Sequence, residues 1–142
     1  MNITTIAAAS MMCAAAMIAL PATAHAETKP PSFQNPSGNI TCWVADNLVS
    51  CKLFERTYAP PPGNCALAQN FDWRHFVLQQ GTSPELLCDR QYDNPPAPMT
   101  LDYGQRYSAG VMTCDSEISG VTCTDTSTGH FFRASRESYQ LG

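Results

Sequence analysis

The sequence predicts an all-β fold, a small disulfide-stapled sandwich or barrel built from hairpins. Three observations carry that expectation. The segment GNITCWVADNLVSC (38–51) returns 72 positions later as GVMTCDSEISGVTC (110–123), with Gly38/Gly110, Thr41/Thr113, Cys42/Cys114, Val49/Val121 and Cys51/Cys123 in register. Both copies alternate apolar and polar residues with the period of a strand. The chain also carries eleven prolines and eight glycines, and no long segment shows a 3.6-residue apolar period, so short strands joined by frequent turns are expected.

Residues 1–26 read as a cleaved secretory signal. Ile6 to Leu20 is uncharged and rich in Ala and Met, Pro21 breaks the run, and Ala24-His25-Ala26 supplies the small-x-small pattern before Glu27. The run is short for a membrane span of roughly 20 residues, and no second one follows, so no stable span is expected after cleavage. Residues 27–32 read as a short linker and 33–142 as one domain. Cys13 leaves with the signal. Cys42, Cys51, Cys65, Cys88, Cys114 and Cys123 remain, an even set that implies disulfides formed in a periplasmic or secreted setting.

The domain opens with the turn Asn35-Pro36-Ser37-Gly38 and a strand from Ile40. Folding the chain at Asp46-Asn47, two residues that tolerate φ > 0, sets Cys42 opposite Cys51. One face then holds Ile40, Cys42, Val44, Val49, Cys51 and Leu53, and the other Thr41, Trp43, Ala45, Leu48, Ser50 and Lys52. The second copy sets Cys114 opposite Cys123, with Met112 and Val121 on the same face; Ser119-Gly120 leaves open a three-residue loop with a bulge. A staple between cysteines nine positions apart stabilises by roughly 2–3 kcal/mol in the chain-entropy account. The repeat thus reads as a stapled hairpin at each end of one domain.

Between the copies, the proline run in TYAPPPGNC forbids a central strand. FDWRHFVLQQG reads as a strand ending at Gln80-Gly81, and TSPELLC as a return strand, with one capped helical turn as the alternative. Cys65 bonds Cys88 by elimination. NPPAPMTLDYGQ is a second connection. The chain closes with a strand from Phe131 and a turn or short helix near Ser135–Ser138.

The net charge of −4, with basic residues scattered apart from Arg133/Arg136, supplies no stripe for nucleic acid. There is no CxxC, G-x-S-x-G, H-E-x-x-H or glycine-rich phosphate loop, so no cofactor, metal or catalytic residue is assigned. His75 and His130 are too few for a metal set once the cysteines are oxidised. Asp72, Glu85, Asp89, Asp93, Asp102, Asp115, Glu117 and Asp125 are expected on a solvated surface rather than as a catalytic pair. Trp43 is expected to be buried beneath the proline segment, with exposure for recognition as the alternative. The candidate recognition surface is Trp43, Asp46, Asn47, Tyr103 and His130. Asn39-Ile40-Thr41 is a formal glycosylation acceptor lying inside a strand.

FQNPSGNITC (33–42), the central Cys65 and Cys88, LDYGQ (101–105), GVTC (120–123) and GHFFRASRESY (129–139) occur in order. As a set they resemble a domain family of unknown function found in small bacterial exported proteins, spanning Phe33 to about Tyr139. Phe131 stands where that pattern often has a second glycine. The resemblance implies an exported, disulfide-rich domain and supplies no ligand or catalytic residue. The expected function is a non-catalytic module that binds an envelope or secreted protein, or a cell-wall component, with an inhibitor or protective protein against a hydrolase as a specific version. A structural envelope-integrity component comes second. A small hydrolase acting on cell-wall glycans, using two acids or His130 with Ser135 or Ser138, comes third.

Overall fold

A computed structural model describes residues 31–59, 72–89 and 99–142. Among them every regular element is a strand: β1 Ser32–Gln34, β2 Ile40–Ala45, β3 Leu48–Leu53, β4 Asp72–Gln79, β5 Glu85–Asp89, β6 Met99–Thr100, β7 Arg106–Ala109, β8 Met112–Glu117, β9 Gly120–Asp125, β10 Phe131–Ala134 and β11 Tyr139–Leu141. The fold is all-β, two sheets packed as a sandwich. One sheet runs β5-β4-β3-β2-β1-β6, the other β11-β10-β9-β8-β7. Every neighbouring pair is antiparallel except β1 and β6, which run parallel.

Both hairpins form in the expected register. Cys42 faces Cys51 with Ala45 opposite Leu48, so Asp46-Asn47 is the two-residue tip. Cys114 faces Cys123 with Glu117 opposite Gly120, so the second tip is Ile118-Ser119 and no bulge is needed. Disulfides Cys42–Cys51 and Cys114–Cys123 close them, with Cα separations of 4.0 and 4.1 Å, the close approach of a non-hydrogen-bonded cross-strand pair. FDWRHFVLQQG is β4, and TSPELLC contributes β5 rather than a helical turn. Ser135–Ser138 is a turn, closed by Ser135 N–H donating to the Ser138 carbonyl at 2.9 Å. Pairing reaches back to Ser32 in β1, and the Pro31 carbonyl accepts from Val44 N–H at 2.7 Å. The signal segment, the proline run and the Cys65–Cys88 pairing lie outside the described residues.

The sequence repeat extends into a repeat of the fold. Strands β1 to β5 and β7 to β11 are the same five-strand meander, one per sheet. Equivalent residues meet across the core. Cys51 and Cys123 sulfurs lie 3.9 Å apart. Phe33, opposite Cys42, stacks on Tyr107, opposite Cys114, with ring centroids at 5.6 Å. Phe76, opposite Cys51, stacks on Phe132, opposite Cys123, at 5.5 Å. A residue that touches its own counterpart is the mark of a two-fold relation. The two hairpins are therefore the stacked centres of the two sheets, not staples at opposite ends. The buried faces of both hairpins, with Phe33, Phe76, Leu78, Tyr107, Phe132 and Ala134, make one core.

Candidate functional site

The two-fold relation exchanges the ends of the sandwich, and the two ends have become different. At the end formed by the Asp46-Asn47 tip, the turns are tied together. Val111 N–H donates to the Asp46 carbonyl at 3.0 Å and Gln80 N–H to the Asn47 carbonyl at 2.9 Å. Gly110 has φ 53°, and a Cβ there would lie 2.3 Å from Asp46 O.

Asp125 completes this closed end. Its side chain is 0 % exposed, which corrects the expectation of a solvated acid. The carboxylate accepts from Ser127 N–H at 2.8 Å, the Ser127 hydroxyl at 2.6 Å, the Thr128 hydroxyl at 2.9 Å and Gly81 N–H at 2.8 Å. Gly81 belongs to the β4–β5 turn, so one carboxylate organises its own loop and clamps it to the other sheet. Those donors, led by the Ser127 hydroxyl and the Gly81 amide, hold its pKa well below the usual carboxylate range.

The counterparts of Asp46 and Gly110 are Ile118 and Gly38, and there the contact is absent. Gly38 has φ 71°, and a Cβ on it would meet nothing within 4 Å. Phe33 lies nine positions before its partner Cys42, whereas Tyr107 lies seven before Cys114, so the β1–β2 turn is two residues longer than the β7–β8 turn and swings clear of the opposing tip. The gap is a cleft of about 430 Å³.

The walls of the cleft are fixed by their own hydrogen bonds. Asn35 Oδ1 accepts from Ile40 N–H at 3.0 Å, and Asn39 exchanges two bonds with the Glu55 backbone at 2.7 and 3.0 Å. Opposite, the Ser135 hydroxyl donates to the Ser138 carbonyl at 2.9 Å, and Thr57 N–H donates to the Arg136 carbonyl at 2.9 Å. Arg136 reaches Glu55 at 3.5 Å, and Glu137 lines the same space. Tyr103, 42 % exposed, and Ile118, 87 % exposed, flank it. The Tyr103 turn is pinned by Gly104 N–H donating to the Ser116 carbonyl at 2.7 Å. A second hollow of about 570 Å³ continues past the shared Ser119, Ser135 and Glu137 to Arg133 and Gln140. Together these make an open, polar trough with hydrogen-bonded walls and two exposed apolar side chains.

Of the expected recognition residues only Tyr103 lines this cleft. Asp46 and Asn47 are at the closed end with their carbonyls engaged. His130 is at that end too, its Nδ1 3.4 Å from the Gly142 carbonyl. Trp43 is on the outer face of β2 and is 36 % exposed, so it stands open to solvent rather than buried. His130 and Ser135 lie at opposite ends of the sandwich. The serine–histidine contact that does form is between Ser50 and His75, linking β3 to β4 on that same outer face. Cys42, Cys51 and Cys123 bring their sulfurs within 4.8 Å of one another, but these sulfurs are committed to disulfides and offer no thiolate to a metal. Sequence reasoning missed Ile118, Glu55, Arg136 and Glu137. An isoleucine at a hairpin tip was the available signal.

Among the described residues no helix is long and apolar enough to cross a membrane, and the two disulfides fit folding outside a reducing compartment. No family model, curated protein or solved structure matches the chain.

Proposed function

We propose that this chain is an exported, non-catalytic binding module of the cell envelope or secretome, and that it recognises its partner through the cleft bounded by Gly38, Ile118 and Tyr103. The observation that carries the reading is the open contact itself. One end of a two-fold scaffold is sealed by Gly110 on Asp46, while the equivalent end is held open by turns that satisfy their own backbone groups. Walls preorganised in this way lower the ordering cost of binding. The signal-like residues 1–26 and the resemblance to an exported domain family support a periplasmic or secreted location. The disulfides agree with it.

The test is site-specific photocrosslinking in intact cells. A benzoylphenylalanine at Tyr103 or Ile118 is expected to trap a discrete partner, and the same probe at Thr82, on the closed end, is not. Equal labelling from both ends, or none from either, would remove the cleft from consideration.

A further inference from the structure

We infer that the ligand of this cleft is an extended, uncharged oligosaccharide; the inference rests on the binding-module reading above and names its ligand class. Charge comes first. Along the two hollows Glu55 and Glu137 face Arg136 and Arg133, and both cations are already engaged, Arg136 with Glu55 at 3.5 Å and Arg133 with Glu117 at 4.0 Å. A phosphate or carboxylate would enter beside Glu55 and Glu137 and would have to displace Glu55 from Arg136 or Glu117 from Arg133. A purely apolar ligand would strip water from charged walls without replacing the hydrogen bonds. A sugar avoids both costs. Each hydroxyl donates and accepts, so neighbouring hydroxyls can bridge a guanidinium and a carboxylate held side by side.

The exposed apolar groups point the same way. The Tyr103 ring and the Ile118 side chain stand 42 % and 87 % exposed beside the polar walls. A pyranose has C–H-rich faces as well as a hydroxyl rim, and it can stack on an aromatic ring while its edge meets polar groups. The shape of the trough favours an extended ligand. The cleft of about 430 Å³ continues through Ser119, Ser135 and Glu137 into the second hollow of about 570 Å³, a path suited to a linear chain rather than one compact molecule.

The experiment is calorimetric titration of the purified, disulfide-intact protein with chitotetraose and cellotetraose, beside tetragalacturonate and tetralysine. Saturable binding of a neutral tetrasaccharide is expected. Tyr103→Ala should weaken it by about tenfold or more, while Glu137→Gln, which keeps hydrogen-bonding atoms and removes only charge, should change it by less than Tyr103→Ala does. Preference for tetragalacturonate would overturn the inference, as would tetralysine binding that Glu137→Gln abolishes. If no sugar binds but Tyr103 still crosslinks a protein in cells, the ligand class falls and the binding module stands. If neither occurs, both fall. Chromatography of the spent titration separates a last case: cleavage of a bound neutral sugar would uphold the ligand class and overturn the non-catalytic reading.

Discussion

Gly38 and Gly110 occupy the same place in the two copies of the repeat, and replacing each by alanine isolates what the closed end is worth. Both have positive φ, 71° and 53°, so both substitutions incur a left-handed backbone penalty of roughly 1–2 kcal/mol. Both also gain a few tenths from the stiffer unfolded chain, leaving about 1 kcal/mol for Gly38→Ala, whose Cβ meets nothing within 4 Å. At Gly110 the new Cβ would lie 2.3 Å from Asp46 O and 2.6 Å from its Cα. Those are backbone atoms, so the turn must move away. Moving it breaks the Val111 N–H to Asp46 carbonyl bond, at roughly 1 kcal/mol, and loosens the packing around it. Gly110→Ala is therefore expected to cost about 3 kcal/mol. For a domain near 100 residues a difference of about 2 kcal/mol separates the melting temperatures by roughly 8–16 °C. Non-reducing urea and thermal unfolding followed by far-UV circular dichroism reads it directly. Equal losses for the two variants would show that the turn contact contributes nothing, and the account of one sealed and one open end would fail with it.

Cys42, Cys51, Cys114 and Cys123 are fully buried, so dithiothreitol with an alkylating trap should leave both mapped disulfides intact in buffer. Both should open in denaturing urea, and rapid alkylation of either in buffer would contradict the stacked core. Removing one staple, by Cys114→Ala with Cys123→Ala, should lower unfolding free energy by about 3 kcal/mol from loop entropy alone, read as a shift in urea midpoint. Asp125 has a depressed folded pKa, so its contribution is complete above the unfolded carboxyl value near 4 and is lost as pH falls below it. The wild-type urea midpoint should accordingly drop more steeply between pH 5 and 2 than that of Asp125→Asn, and parallel curves would refute the clamp. Ser116 is fully buried where the other repeat has Val44, and its hydroxyl has no hydrogen-bond partner among the described residues. Ser116→Ala should therefore stabilise by about 1 kcal/mol in the same urea assay.

The hairpins were legible because three independent signals coincide in them: paired cysteines at equal spacing, strict alternation, and a turn-forming pair at the first tip. Each is local, and local signals survive being read without a fold. Asp125 was not legible in that way. An acid at the end of a strand reads as solvated. Only the arrival of Gly81 from the other sheet explains its burial, although the following Thr126-Ser127-Thr128 run hints at hydroxyl groups folding back onto it. Trp43 was misplaced because nothing in the period of β2 says what covers its outer face. The cleft was hidden for a further reason: it depends on which turn meets which across the two-fold relation. That relation is established by contacts such as Cys51 with Cys123, which alternation within one hairpin cannot reveal.

A two-fold sandwich begins with two equivalent ends, so the single recognition site proposed here has to arise as a departure from symmetry. Three differences between counterpart turns set the open end apart from the sealed one. The β1–β2 turn is two residues longer than its counterpart. The second hairpin tip carries Ile118-Ser119 where the first has Asp46-Asn47. The connection leaving β3 begins with Phe54 and Glu55, which wall the cleft, whereas the short connection leaving β9 is folded onto Asp125. The shared cysteines and the valines Val49 and Val121 lie in the core, where they hold the two hairpins together whatever the tips carry. The repeat therefore bears on the proposed recognition not as a motif that touches a ligand but as the disulfide-closed frame against which one end remains sealed and the other remains open.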